Sequence, residues 1–194
     1  PPADYTPDLA AVAPDRFAVA ACTMDGVVYT AGDAEAEFTI QSMSKPFAYA
    51  LALRDRGIEG VLEKVAVEPS GDAFNQISLE RISGRPRNPM INIGAITTHT
   101  MVGPVGASEA ERDRALADGL AAFAGRRLEV DTAVLDSELR TAFRNRAMAN
   151  LVRAGGIIED DPDEAVRGYT RQCAYPGTGR DLAGMAVTPA TGRG

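Results

Sequence analysis

The sequence predicts a single α/β domain, residues 1–194, with its helices clustered beside a sheet. Three observations lead there. Strand and hairpin signals are confined to the chain before Gln41. Helix starts and stops follow one another from there onward. Strands followed by a helical block define this class, whereas alternating strands and helices would define a doubly wound one. The chain also shows no internal repeat, long linker or low-complexity tract. Its 45% hydrophobic and 24% charged residues suit one soluble core.

Residues 5–13 read as a short helix or turn, with Pro7 tolerated near its start. Residues 17–23 and 27–30 flank Asp25-Gly26, a tight-turn dipeptide, and together predict a β-hairpin. Gly32-Asp33 turns the chain again, and residues 37–40 form another short strand. Residues 47–53 are apolar nearly all round and predict a buried helix that ends near Arg54-Asp55-Arg56-Gly57. Pro46 is comfortable only in a first turn, so Ser42 should sit at or just before that helix start. Residues 68–72 and 83–89 are loops rich in breakers. Residues 90–102 are apolar and predict a second buried helix. Ser108 and Glu111 form a capping box that opens a helix to about Ala124. One helix is expected over residues 137–154, stopping at Gly155-Gly156. Asp161-Pro162-Asp163-Glu164 opens the helix that carries Tyr169 and Cys173, and a last short helix begins near Arg180.

Composition excludes several functions. The net charge of −7 disfavours nucleic acid, which wants a basic surface. No segment reaches the ~18 apolar residues of a membrane span. Cys22 and Cys173 have neither disulfide-framework nor metal spacing, and His99 is the sole histidine, so no zinc site and no cofactor is expected. Two lone cysteines suit a reducing compartment, and a cytoplasmic location is expected. The chain begins Pro1-Pro2-Ala3 with no initiator Met and no secretory pattern, so its start is expected to be processed or trimmed.

The candidate chemistry centres on Gln41-Ser42-Met43-Ser44-Lys45-Pro46. Positions three apart share a helix face, so the Ser42 hydroxyl and the Lys45 amine can come within hydrogen-bond reach, as a serine nucleophile with a lysine base requires. Among 20 basic residues only Lys45 and Lys64 are lysines. Lysine, unlike arginine, can lose its proton in a protein. The bland reading makes Ser44 an ordinary N-cap at a plain helix start. The Ser-Asp-Asn and Lys-Thr-Gly companions of penicillin-binding proteins are absent. His99 reads better as a packed or surface residue than as a triad base, and Cys173 as a buried inert thiol. In Asn88-Pro89-Met90-Ile91-Asn92-Ile93-Gly94-Ala95, Gly94 allows close backbone approach and Asn92 needs partners or a ligand. Glu138 and Asn145 lie seven apart on the helix expected there, and so share a face, which is commonly just a solvated one. Tyr5 and Tyr169 read by themselves as partly buried packing residues.

Taken together these segments resemble the serine-dependent glutaminase family. The resemblance rests on Ala3-Asp4-Tyr5-Thr6-Pro7, Gln41-Ser42-Met43-Ser44-Lys45-Pro46, Glu68-Pro69-Ser70-Gly71, the run from Asn88 to Ile96, Ser137-Glu138 with Arg144-Asn145, Tyr169 before Gln172-Cys173, and Arg180-Asp181-Leu182-Ala183. These pieces fall in family order along essentially the whole chain. The resemblance implies a β-lactamase/penicillin-binding-like serine hydrolase fold and hydrolysis of L-glutamine to L-glutamate and ammonia. It makes Ser42 the nucleophile and Lys45 the general base. It places Tyr5, Gln41, Asn92, Glu138, Asn145 and Tyr169 in the substrate pocket. It also implies a homo-oligomer. Another Ser-x-x-Lys acyl hydrolase, or a truncated relative that binds glutamine without turnover, are the alternative expectations.

Three departures from the family stand out. Ile93 replaces a usual alanine. Ala174-Tyr175-Pro176-Gly177 follows Cys173 where a strand-like apolar run is expected. The family's catalytic domain continues past Gly194, with a further active-site tyrosine and an oxyanion-hole N–H, so the chain is expected to be incomplete at its C-terminus.

Overall fold

The structure is a computed structural model and describes residues 13–192. Tyr5, its Ala3-Asp4-Tyr5-Thr6-Pro7 motif and nearly all of the element expected over residues 5–13 lie outside the described residues.

The hairpin forms as the turn dipeptide predicts. Strand β1 (Ala18–Cys22) pairs antiparallel with β2 (Val28–Gly32), from Ala18 opposite Gly32 to Cys22 opposite Val28. Gly26 supplies the positive φ of 89° that the turn needs. At the other end Gly32 has φ 70°, and a Cβ there would stand 2.1 Å from the Phe17 carbonyl oxygen, so the entry to the hairpin also requires glycine. A second, shorter pairing joins β3 (Phe38–Thr39) to β4 (Pro176–Gly177), and the Ile40 N–H donates to the Tyr175 carbonyl at 2.8 Å. The unusual run after Cys173 therefore does form a strand. It is two residues long, with Pro176 opposite Thr39.

A 3-10 turn (Gln41–Ser44) leads directly into helix α1 (Lys45–Lys64). Ser42 thus sits just before the helix, as Pro46 requires. The first helical stretch ends at Gly57, as expected. That residue breaks it with φ 70° and ψ 167°, and the chain then resumes helical form to Lys64. The next helix, α2, covers Asn92–His99, shorter than the expected 90–102. The Asn88 side-chain oxygen accepts from the Met90 and Ile91 N–H groups at 3.0 and 3.2 Å, which holds those residues in a turn ahead of it. Helix α3 (Glu109–Ala124) carries the predicted capping box of Ser108 and Glu111.

The single helix expected over 137–154 is two helices. Helix α4 (Thr132–Thr141) starts on Asp131, whose carboxylate accepts from the Val134 N–H at 3.0 Å. Helix α5 (Phe143–Ala154) follows after a break at the buried Ala142, where ψ is 24°. No Gly or Pro marks that break; packing of Ala142 with the Ile93 and Met148 cluster overrides local propensity. Helix α6 (Pro162–Cys173) opens on Asp161, which accepts from Asp163 and Glu164. Helix α7 (Gly179–Thr191) opens on a Thr178–Asp181 capping box and packs on the hairpin.

Two apolar clusters hold these elements. One gathers Phe47, Leu51 and Val61 of α1 with Leu116 and Leu120 of α3 and Met185 of α7. The other joins α2, α5 and α6 through Ile93, Ile96, Met148, Val152 and Val166. Ile40 belongs to the first and Tyr169 and Cys173 to the second, so the 3-10 turn lies where the two meet. No helix among the described residues is long and apolar enough to cross a membrane.

Candidate active site

At that junction the surface opens into a cavity of about 490 Å³. Gln41, Ser42, Asn92, Glu138, Asn145 and Tyr169 all line it. They arrive from five places: the 3-10 turn, α2, α4, α5 and α6. Glu138 and Asn145 do not share one helix, because the break at Ala142 separates them. The same break turns both helices so that each still contributes to the cavity.

Close packing places Asn92. A Cβ on Gly94 would stand 1.8 Å from the Asn88 carbonyl oxygen, so only glycine lets the 88–91 turn sit against α2. The Asn92 N–H donates to the Phe74 carbonyl at 2.8 Å. Its side-chain oxygen accepts from Lys45 Nζ at 2.8 Å and from the Tyr169 hydroxyl at 3.4 Å, and its side-chain nitrogen donates to Asn145 Oδ1 at 3.4 Å.

Lys45 is only 3% exposed. Its amine donates to the Met90 carbonyl at 2.9 Å and to Asn92, and it lies 5.5 Å from the centre of the Phe74 ring. No carboxylate pairs with it among the described residues. Burial therefore pulls its pKa from 10.5 down to about 8. The Lys45 N–H closes the 3-10 turn on the Ser42 carbonyl, which fixes the two residues one turn apart. Among the described residues no hydrogen bond joins the Ser42 hydroxyl to the Lys45 amine; two of the three ammonium donors are taken by Met90 and Asn92, leaving one position. Ser42 itself faces the cavity and is exposed.

Gln41 has φ 49°, the one positive φ of a non-glycine among the described residues. Such a conformation costs on the order of 1–3 kcal/mol and persists only where its surroundings enforce it. Here the side-chain amide donates to Thr39 Oγ1 at 3.0 Å and to Glu138 Oε1 at 2.6 Å, tying the turn to α4. Burial, and after it the neighbouring Cys173, push the Tyr169 phenol well above its ordinary 10, while its contact with Ser42 works the other way. Burial also pushes the Cys173 thiol up to about 12, in keeping with an inert residue. His99 is buried and is drawn down to about 3, chiefly by burial and then by Arg112. It is a packed residue.

The sequence reading missed Phe74, Asn75 and Arg144 as lining residues, and Gln172 behind them. Phe74 and Asn75 stand in an irregular loop with no periodicity to read. Arg144 enters the sequence argument only as the neighbour of Asn145; it donates to Gln76 Oε1 at 3.2 Å.

Fold and site define an α/β protein of the β-lactamase-like class with a polar cleft and a buried lysine bonded to one of its lining residues, Asn92. The chain belongs to the glutaminase family, whose family model matches residues 1–193. It is 47% identical over 190 residues to the glutaminase of Corynebacterium efficiens, covering 98% of this chain and 45% of that protein. A crystal structure of Mglu in its native form superposes with a TM-score of 0.94 at 46% identity, over 99% of this chain and 47% of that one. Mglu in its glutamate form gives the same TM-score and identity, over 99% and 45%. The chain thus spans a little under half the length of these relatives.

Proposed function

We propose that the protein hydrolyses L-glutamine to L-glutamate and ammonia through a glutamyl ester on Ser42, with Lys45 as general base. The observation that carries this reading is the buried Lys45, with no carboxylate paired to it among the described residues, one turn from the cavity-facing Ser42. At neutral pH an amine with a pKa of about 8 is neutral roughly one time in ten, against fewer than about one in a thousand for an ordinary lysine. Neutral Lys45 takes the Ser42 proton as Oγ attacks the side-chain amide carbon of glutamine. The lysinium then protonates the departing nitrogen, and ammonia leaves. Water attacks the ester with Lys45 again taking the proton, which releases glutamate and restores Ser42.

The cavity suits glutamine chemically. Glu138, held by Gln41, offers a carboxylate to the substrate's ammonium. Asn92, Asn145 and the Tyr169 hydroxyl offer hydrogen bonds to its carboxylate and side-chain amide. Polar partners that would be left unpaired with the wrong ligand discriminate more strongly than apolar packing does. The glutamate bound in the Mglu structure is the product of this reaction. Tyr5 joins the pocket by resemblance, and a cytoplasmic location goes with two free cysteines.

The test is ammonia release from L-glutamine by the full-length protein. Ser42→Ala and Lys45→Ala should each lower kcat by about a thousandfold or more, as loss of a nucleophile or its base does. A Ser42→Ala protein with parental activity would remove Ser42 from the chemistry.

A further inference from the structure

A buried polar chain lies directly behind the cavity, and the chemistry above makes no use of it. Gln172 is 0% exposed. Its amide nitrogen donates to Ser44 Oγ at 3.0 Å, and its amide oxygen meets His99 Nδ1 at 3.3 Å. Ser44 is also fully buried and, although it occupies the position before α1, makes no capping bond. Its oxygen lies 4.0 Å from the Cys173 sulfur. Because the Gln172 nitrogen is committed to Ser44, its oxygen must face His99, which sets His99 as the tautomer that donates from Nδ1. Burial keeps that histidine neutral, so the bond does not change in the working pH range.

The three residues come from the three elements that carry the proposed machinery. Ser44 stands between Ser42 and Lys45, His99 ends the helix that begins with Asn92, and Gln172 follows Tyr169 by three positions on α6. From this geometry we infer that Gln172 is a positioning residue, which sets the Ser42–Lys45 turn against the substrate-binding wall. The inference rests on the glutaminase reading. The helices that carry the wall, α2, α5 and α6, are held together by the second apolar cluster, to which Tyr169 itself belongs. The turn belongs to the other cluster through Ile40 and Phe47; the Gln172–Ser44 bond crosses between the two from behind, opposite the Lys45–Asn92 and Gln41–Glu138 bonds on the cavity side. Cutting it should let the nucleophile drift while the binding groups stay in place. A misplacement of about 1 Å at the reacting atoms costs up to roughly a hundredfold in rate.

Gln172→Met keeps length and volume but removes both bonds; Ser44→Ala removes one oxygen. In the full-length enzyme each should lower kcat for glutamine by about tenfold or more while KM stays within about threefold. The double variant should be no worse than the poorer single by more than about twofold, because both cut the same link. Thermal midpoints are recorded alongside. A variant that loses thermal stability but keeps kcat within about twofold, or a double whose loss is the product of the singles, overturns the inference. If Gln172→Met fails to fold, Ser44→Ala decides alone by the same kcat criterion. A parent enzyme that releases no ammonia overturns the glutaminase reading, and this inference falls with it.

Discussion

At the scale of single residues the decisive quantity is the charge on Lys45. Burial holds its pKa near 8, and in the proposed reaction only the neutral form can accept the Ser42 proton. Below that value each pH unit upward increases the neutral fraction about tenfold. The kcat/KM for glutamine should therefore rise with pH and level off above about 8, as measured by ammonia release under constant ionic strength. Lys45→Arg keeps the charge and cannot shed it, so it should be as inactive as Lys45→Ala at every pH. An active arginine variant would show that Lys45 acts as a fixed charge. Much of the cavity's make-up was readable. Ser42 and Lys45 came from spacing, from Pro46 and from the scarcity of lysine. Asn92, Glu138, Asn145 and Tyr169 came from resemblance, and each lines the cavity. Gln172 was not readable, because a polar residue on a helix gives no sign of whether it faces water or a buried serine.

At the scale of elements, most helix beginnings and the glycine break at Gly57 were legible, and the break at Ala142 was not. Ser108 with Glu111, and Asp161 with Pro162, declare their helices through hydrogen bonds made within four residues. The break at Ala142 depends on neighbours distant in sequence, so nothing local announces it. The contact between α2 and α6 is of the same kind. Gly168 lies where a Cβ would stand 2.0 Å from His99 Nε2. Both are buried, and the ring is held by Gln172, so there is no room to yield. Gly168→Ala should destabilise the protein by roughly 1–3 kcal/mol in urea denaturation. Gly184→Ala in α7 is the counterpart. A Cβ there meets nothing within 4 Å, and the substitution should stabilise by up to about 1 kcal/mol. Equal effects from the two would mean that helix propensity outweighs the α2–α6 contact.

At the scale of the whole molecule, the two apolar clusters meet along a seam that includes one buried imidazole. His99 has an ordinary value of 6.5 in the unfolded chain and about 3 in the fold. A folded-state pKa below the unfolded one means that the unfolded chain binds the extra proton first. Stability is then unaffected above pH 6.5 and falls as the pH drops below it, by about 1.36 kcal/mol per unit for one proton until the folded value is reached. Among the carboxylates, Glu109, held below its ordinary 4.5 chiefly by the Arg167 hydrogen bond, adds a loss of the same sign only at lower pH. Asp113, raised mainly by burial, acts oppositely there. Between pH 6.5 and about 5 the carboxylates held low contribute nothing, so the decline there comes from the histidine, with Asp113 opposing it. Urea midpoints taken across that interval should decline with acidification, and His99→Gln should flatten the decline, since a glutamine amide can still donate to Gln172 without gaining a proton. The variant should lose some stability at pH 7.5 and converge on the parent near pH 5. If the two curves stay parallel, the acid sensitivity lies elsewhere in the protein and the seam is not its source.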